Sequence, residues 1–313
     1  MLAIHGGAGT LPPSAMDPAT EQAHRAGLAR ALAAGHAVLA GDGSAMDAVC
    51  AAIHVLEDDP LFNAGHGAVL TAAGEIEHDA CVMDGATRQT GAVAGICGPA
   101  NPIDAARAVM EQSPHVLLAG RGAEAWLAGR VPFLPPQAFV TERRRQALAT
   151  VLAARGGPLD DADRHGTVGA VARDRSGRLA AGTSTGGMTG KLPGRIGDCP
   201  IAGAGTWADH TVAVSATGHG ESFIRAGAAH AIAMHMRLSG LSLAAATDLV
   251  LADVTALGGD GGLVAIDAAG HIVLPFTSRG MYRGMVRHDG VCMTGIYGSP
   301  LAPTPLAPNS DGA

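Results

Sequence analysis

Aromatic residues are nearly missing from this chain: five Phe, two Trp and two Tyr, 3% of 313 residues. Charge is also thin, at 16% Asp, Glu, Lys and Arg against about 25% in an average soluble protein. A core built almost without rings must be aliphatic and closely packed, and 47% hydrophobic residues suffice for one. Positive charge is in deficit, with 21 Lys and Arg against 28 Asp and Glu. That argues against a nucleic-acid surface, which needs a basic face. The one basic run, Arg143-Arg144-Arg145, reads as a solvated face. The five cysteines (Cys50, Cys81, Cys97, Cys199, Cys292) are odd in number and lack CxxC spacing. They read as reduced thiols rather than a disulfide framework. No apolar run approaches the roughly 18 residues of a membrane span. No Asn-x-Ser/Thr sequon occurs, and strand-like residues begin almost at Met1, where a signal peptide would stand. The expectation is a cytoplasmic protein without membrane or nucleic-acid partners.

Glycine is abundant, at 45 of 313 residues, about twice the average share of roughly 7%. The glycines are interleaved with Val, Ile, Leu and Ala, which points to tight turns and close backbone approach rather than low complexity. Residues 1–5 read as a short strand ending in Gly6-Gly7-Ala8-Gly9. Helical periodicity marks 18–40, and Ser44 caps a second helix to about Glu57. Short strands follow at 79–83 and 92–97, then helices from Asn101 to about Gln112 and near 120–128. Residues 132–166 change character: Pro132, Pro135, Pro136 and Gly156-Gly157-Pro158 mark a flexible connector carrying one helix at 141–154. Strands at 167–173 and 178–184 flank the turn Asp174-Arg175-Ser176-Gly177. A strand at 211–217 leads to Gly218-His219-Gly220 and a helix at 221–238, with another helix at 242–256. A hairpin at 262–275 and a strand at 291–297 precede a Pro-rich tail, 299–313, expected to be disordered. Strands in adjacent pairs and helices in separate runs do not make the alternation of a parallel sheet. Two stacked, mainly antiparallel sheets with helices outside each would bury this much aliphatic surface.

The chemistry concentrates at Gly166-Thr167, where a polar stretch becomes the alternating strand Val168-Gly169-Ala170-Val171-Ala172. If that peptide bond breaks, Thr167 gains a free α-amine beside its own hydroxyl. Such an amine can serve as the general base for the hydroxyl, because its unperturbed pKa, roughly 7.7–8.0, lies near neutrality. Glycine before the bond tolerates the strained backbone that exposes a carbonyl to attack. Two other patterns fail. Gly182-Thr183-Ser184-Thr185-Gly186 matches the G-x-S-x-G elbow, but that elbow needs a helix directly after it, and Pro193 and four glycines follow within 187–197. Gly190-Lys191 resembles the end of a phosphate-binding loop, but Leu192 stands where Ser or Thr is required. No HExxH-like spacing links the 14 histidines, so His5 and His219 read as structural.

The blocks Phe62-Asn63-Ala64-Gly65, Asp79-Ala80-Cys81-Val82-Met83-Asp84-Gly85, His165-Gly166-Thr167-Val168-Gly169, Thr183-Ser184-Thr185-Gly186-Gly187 through Asp198, and Ala216-Thr217-Gly218-His219-Gly220-Glu221 occur in this order. Together they resemble the plant-type L-asparaginase / isoaspartyl peptidase family of N-terminal-nucleophile hydrolases, from His5 to about Tyr297. The resemblance implies a single αββα four-layer domain over 1–313. It also implies self-cleavage into fragments 1–166 and 167–313, and a dimer of the two-fragment protomers. It assigns Thr167 as nucleophile, Thr185 as its orienting partner, and Thr217 with the Gly218 N–H as the oxyanion hole. Arg195 and Asp198 would hold the substrate α-carboxylate and α-ammonium, a pairing that suits a guanidinium fork and an acid, with Gly220 beside that head group. Asn63 would approach the nucleophile from the first fragment. No cofactor is implied for the chemistry. The loop from Leu56 to His66 resembles the family's sodium loop, with the backbone carbonyls of Leu56, Glu57, Asp59, Phe62, Ala64 and His66 as ligands. The implied activity is hydrolysis of β-aspartyl dipeptides and L-asparagine. The sequence leaves open a glycosylasparaginase of the same superfamily and an uncleaved, inactive binding protein.

Overall fold

The computed structural model describes residues 1–9, 14, 16–154 and 166–305. Its strands are β1 Leu2–Ala8, β2 His78–Asp84, β3 Thr90–Ile96, β4 Leu117–Ala119, β5 Val168–Arg173, β6 Leu179–Thr185 and β7 Thr206–Ala208. They continue as β8 Val212–Gly218, β9 Gly261–Asp267, β10 Ile272–Val273, β11 Met281–Val286, β12 Cys292–Gly295 and β13 Ala302–Pro303. The helices are α1 Pro18–Ala40, α2 Ala45–Asp58, α3 Pro102–Gln112, α4 Gly120–Leu127, α5 Glu142–Ala153, α6 Gly220–Ala226, α7 Ala228–Ser239 and α8 Leu243–Ala256. Nine strands form one sheet in the order β13-β12-β11-β1-β5-β6-β2-β3-β4, and four form a second, β10-β9-β8-β7. All pairings are antiparallel except β3 with β4.

Side-chain alternation in the strands decides where each face is buried. In β1, Leu2 and Ile4 join a core with Leu28 and Leu32 of α1 and Ile53 and Leu56 of α2. Ala3 between them joins the other core, with Val214 and Ala216 of β8, Leu263 of β9 and Ile232 of α7. β5 repeats the pattern: Val168, Ala170 and Ala172 face the first core and Val171 the second. The filling of both cores is mainly aliphatic, with Phe62 in the first and Phe223 and Trp207 in the second. Capping fixes the helices that frame this core. Asp17, Ser44, Thr141 and Ser242 each accept a backbone N–H of the first turn.

The short strands β4 and β7 were not expected from the sequence, and four further departures bear on the architecture. The helix expected at 221–238 is split at Gly227, whose left-handed backbone (φ 56°) ends α6 and starts α7. β11 was not expected, because Arg283 and Gly284 obscure its pattern; the Arg283 guanidinium is buried, lies over the Phe276 ring and donates to the carbonyls of Met281, Tyr297 and Ser299. In the expected connector, residues 132–154 are ordered around α5 by buried Phe139 and Leu148, while 155–165 lie outside the described residues. In the tail expected to be disordered, Ala302–Pro303 pairs with β12 and Thr304 Oγ1 lies 2.7 Å from Thr294 Oγ1; residues 306–313 lie outside the described residues.

Candidate active site

Three strands deliver the nucleophile and its neighbours to one point. Thr167 immediately precedes β5, Thr185 ends β6 and Thr217 lies near the end of β8. β5 and β6 pair with Val168 opposite Ser184, which sets Thr167 and Thr185 at the same edge. All three threonines are buried. The Thr167 hydroxyl donates to Thr185 Oγ1 at 3.2 Å. Thr185 Oγ1 donates in turn to the Gly166 carbonyl at 2.9 Å and accepts the Gly187 N–H at 2.9 Å. One hydroxyl therefore touches both the expected nucleophile and the carbonyl of the expected cleavage site.

Asn63, after α2, adds a second donor to that carbonyl. Its Nδ2 donates to the Gly166 carbonyl and to the Gly187 carbonyl, each at 2.7 Å, while its Oδ1 accepts the Val69 N–H at 2.9 Å. All of the amide's strong hydrogen-bonding directions save one acceptor lobe are used, which fixes its orientation. β1 closes the other side. A Cβ on Gly7 would stand 2.9 Å from Gly166 Cα and 3.2 Å from Thr167 N, and the next residue's N–H, on Ala8, donates to Thr217 Oγ1 at 3.1 Å. Thr217 is thus tied to the strand that abuts the Gly166–Thr167 bond. Gly218, beyond it, pairs with Gly261 at φ 144°.

The expected head-group residues gather around Gly220. A Cβ there would meet Asp198 Oδ1 at 2.9 Å and Arg195 Nη2 at 3.0 Å, so only glycine lets both side chains converge. Asp198 is buried, and its Oδ2 has no hydrogen-bond partner among the described residues. Burial pushes its carboxyl up to about 7. A buried, unpartnered carboxylate oxygen is a place where a cationic group would bind. Sequence reasoning missed the partner of Arg195. Its Nε and Nη2 donate to Glu221 Oε1 and Oε2, both at 2.9 Å, and that guanidinium holds the Glu221 carboxyl down at about 2. Glu221 stands in one of the matched blocks, but nothing in the sequence says that Arg195, 26 positions earlier, reaches it.

Two polar residues of β6 and β8, Thr183 and Ser215, were given no role from the sequence, and they meet at 2.7 Å between the sheets. The signal was present as hydroxyl residues at i and i+2, Thr183 with Thr185 and Ser215 with Thr217, in otherwise aliphatic strands.

The six residues expected to hold a cation run from the end of α2 through the following turn to His66, inside the short 3-10 helix Gly65–Gly67. The carbonyls of Asp59 and Ala64 each accept one backbone N–H, from Phe62 and Gly67, which leaves each a second lone pair. The Glu57 side chain points elsewhere, accepting from Ser184 Oγ at 2.6 Å and the Ile103 N–H at 3.0 Å. No group of three His, Cys, Asp or Glu that could hold a metal occurs among the described residues. Among the described residues no helix is long and apolar enough to cross a membrane. A cavity of about 750 Å³ lined by Glu75, Glu124, Arg121 and Arg145 includes none of these site residues.

A family model described as asparaginase matches residues 1–296. The isoaspartyl peptidase of Escherichia coli K12 is 49% identical over 95% of this chain and 96% of its own length. The isoaspartyl peptidase/L-asparaginase of Xenopus laevis is 41% identical over 98% of both, and the human protein of that name is 42% identical over 90% of this chain and 91% of its own. With a match this long and relatives this similar across bacteria and animals, the chain belongs to the asparaginase family.

Proposed function

We propose that this protein is a self-activating isoaspartyl dipeptidase with L-asparaginase activity, working through an acyl-Thr167 intermediate. The observation that carries the reading is the Thr185 hydroxyl, bonded at once to Thr167 Oγ1 and to the Gly166 carbonyl. In self-cleavage the Thr167 hydroxyl oxygen adds to the Gly166 carbonyl carbon, and the C–N bond breaks as the acyl group moves to oxygen. Water then hydrolyses the ester, leaving the Gly166 carboxylate and the Thr167 α-amine. Thr185 and Asn63 donate to the carbonyl oxygen where negative charge develops, the kind of donor that is worth most in a dry site.

In turnover the freed amine takes the hydroxyl proton as Thr167 Oγ adds to the substrate's side-chain carbonyl. Thr217, whose oxygen accepts from Ala8, keeps its one proton for the substrate oxyanion together with the Gly218 N–H. The leaving amine departs with the proton, and water releases aspartate from the acyl-enzyme. Arg195 receives the α-carboxylate on the guanidinium edge left beside Glu221, and Asp198 receives the α-ammonium on the carboxylate oxygen that lies beside Gly220. We read the packing of α1–α3 against one sheet and α6–α8 against the other as the αββα layering of N-terminal-nucleophile hydrolases, active as a dimer of cleaved protomers. The carbonyls of Leu56, Glu57, Asp59, Phe62, Ala64 and His66 would hold a sodium ion, whose hard charge suits neutral oxygens; it would order the turn that carries Asn63.

The test is the intact mass of the purified protein after incubation at neutral pH, followed by aspartate release. Two species breaking between Gly166 and Thr167, with aspartate formed from a β-aspartyl dipeptide and from L-asparagine, support the reading. A single mass of about 31 kDa and no aspartate would overturn it.

A further inference from the structure

We propose that His5 is a positioning residue for the nucleophile, clamping the Thr167 carbonyl while Ser215, backed in a file by the buried hydroxyls of Thr183 and Thr206, anchors the other ring nitrogen. The inference rests on Thr167 being the nucleophile. His5 Nδ1 lies 2.9 Å from the Thr167 carbonyl oxygen and Nε2 lies 2.9 Å from Ser215 Oγ. Ser215 Oγ lies 2.7 Å from Thr183 Oγ1, which lies 2.7 Å from Thr206 Oγ1; that hydroxyl also reaches the Cys199 carbonyl at 3.0 Å. Every side chain in the file is buried.

The protons along it can be assigned from what each group is able to do. The His5 ring is fully buried, and burial pushes its pKa down to about 3, so the neutral ring carries one N–H. A carbonyl only accepts, so the proton sits on Nδ1 and is donated to Thr167. Nε2 must then accept, and Ser215 donates to it. The spent Ser215 proton obliges Thr183 to donate to Ser215, and Thr206 shares its proton between Thr183 and the Cys199 carbonyl. From Thr206 to His5 the donors point toward Thr167, which immediately precedes β5, while the Thr206 proton is also drawn to the Cys199 carbonyl.

Room for this contact is made by Gly169. A Cβ there would stand 2.0 Å from Ser215 Oγ and 2.4 Å from His5 Nε2. A glycine two residues after Thr167 in a strand that otherwise favours branched side chains is thereby explained. The Thr167 carbonyl is not a reacting atom. Clamping it fixes the peptide plane next to the Thr167 Cα, and with it the directions of the amine and the hydroxyl. Without Ser215 the Nε2 lone pair is buried with no donor, and the ring loses the anchor that holds it against the Thr167 carbonyl.

The experiment compares wild type with His5→Phe, which keeps the bulk and removes the N–H, His5→Asn, which restores an N–H donor, and Ser215→Ala. The readouts are the self-cleavage rate by intact mass, kcat and KM for L-asparagine, and the thermal unfolding midpoint. A nucleophile displaced by about 1 Å loses on the order of 10²-fold in rate. The expected result is a fall of about 10- to 100-fold in self-cleavage and kcat for His5→Phe and about tenfold for Ser215→Ala. KM should stay within about threefold, and His5→Asn should regain at least half of the logarithmic loss. Ser215→Ala removes a single hydroxyl and decides the matter if His5→Phe does not fold. Unchanged kcat in folded variants, a loss confined to KM, or His5→Asn no better than His5→Phe overturns the positioning role alone. An uncleaved, inactive wild type overturns the proposed function and this role with it.

Discussion

Arg195 and Glu221 meet fork to fork, with both nitrogen–oxygen contacts at 2.9 Å. The pair holds the guanidinium plane against Gly220 and beside Asp198. Glu221 is 46% exposed, so the ion pair itself is screened and worth about 1 kcal/mol or less. Its value lies in orientation. Glu221→Ala is expected to raise KM for L-asparagine up to about fivefold with kcat nearly unchanged, the signature of lost ground-state orientation. Arg195→Lys keeps the charge and loses the fork, and kcat/KM should fall about 100-fold, roughly 2.7 kcal/mol. Steady-state kinetics on both variants checks this.

The Thr185 hydroxyl serves two steps. It accepts from the Thr167 hydroxyl and donates to the Gly166 carbonyl, so removing it withdraws a donor from self-cleavage and an orienting acceptor from turnover. Thr185→Val keeps the volume in a buried strand end. It should slow self-cleavage about 10²- to 10³-fold, seen by intact mass over time. The cleaved fraction should also turn over more slowly than wild type. Thr167→Ala should stay one chain indefinitely; two fragments from it would mean that another residue starts the cleavage.

Legibility in the sequence followed physical range. Local signals held: Ser44 caps α2 as expected, and Asp174 to Gly177 form the turn between β5 and β6. The blocks around Thr167, Thr185, Thr217, Arg195 and Asp198 led to residues that the fold gathers at the ends of β5, β6 and β8 and around Gly220. What stayed hidden depended on contacts between segments far apart in the chain, within a sheet and between the two sheets. His5 meets Thr167 and Ser215 across 162 and 210 residues of chain, and no periodicity in β1 reports that. β11 stayed hidden for a different reason. Its buried Arg283 is satisfied by distant carbonyls, and a lone sequence reads such a charge as solvent-facing.

Asp198 sets a pH dependence. Burial raises its carboxyl from 3.8 to about 7 in the free enzyme. Below that value it is neutral and cannot pair with an α-ammonium; above it the carboxylate is ready. kcat/KM, which reports the free enzyme, should therefore fall as pH drops through about 7. The Thr167 amine, with an unperturbed pKa of roughly 7.7–8.0, adds a second ionisation on the same limb. The fall should approach two powers of ten per pH unit once both groups are protonated. Asp198→Asn should remove one of the two and flatten the limb to a single slope, on a lower kcat/KM throughout. A profile from pH 5 to 9 on both proteins checks it, and an unchanged slope would remove Asp198 from the head-group site.

Glu57 makes the fold itself pH-sensitive. Its carboxyl is fully buried between α2, α3 and β6, with Oε2 unpartnered among the described residues, and desolvation raises it from 4.5 to about 8. A folded-state pKa above the unfolded one means that the folded chain binds the proton more tightly. The associated stability is complete below about 4.5 and is lost as pH rises through about 8. Over that window the loss is on the order of a few kcal/mol. Glu57→Gln has the shape of the protonated acid and keeps an acceptor for Ser184 and the Ile103 N–H, so it should leave stability at pH 4.5 little changed. At pH 8 it should be the more stable protein, with an unfolding midpoint several degrees above wild type. Unfolding midpoints from pH 5 to 8.5 on both proteins check this. Parallel curves would mean that Glu57 stays charged in the fold, held by Ser184 and the start of α3 more strongly than burial opposes it.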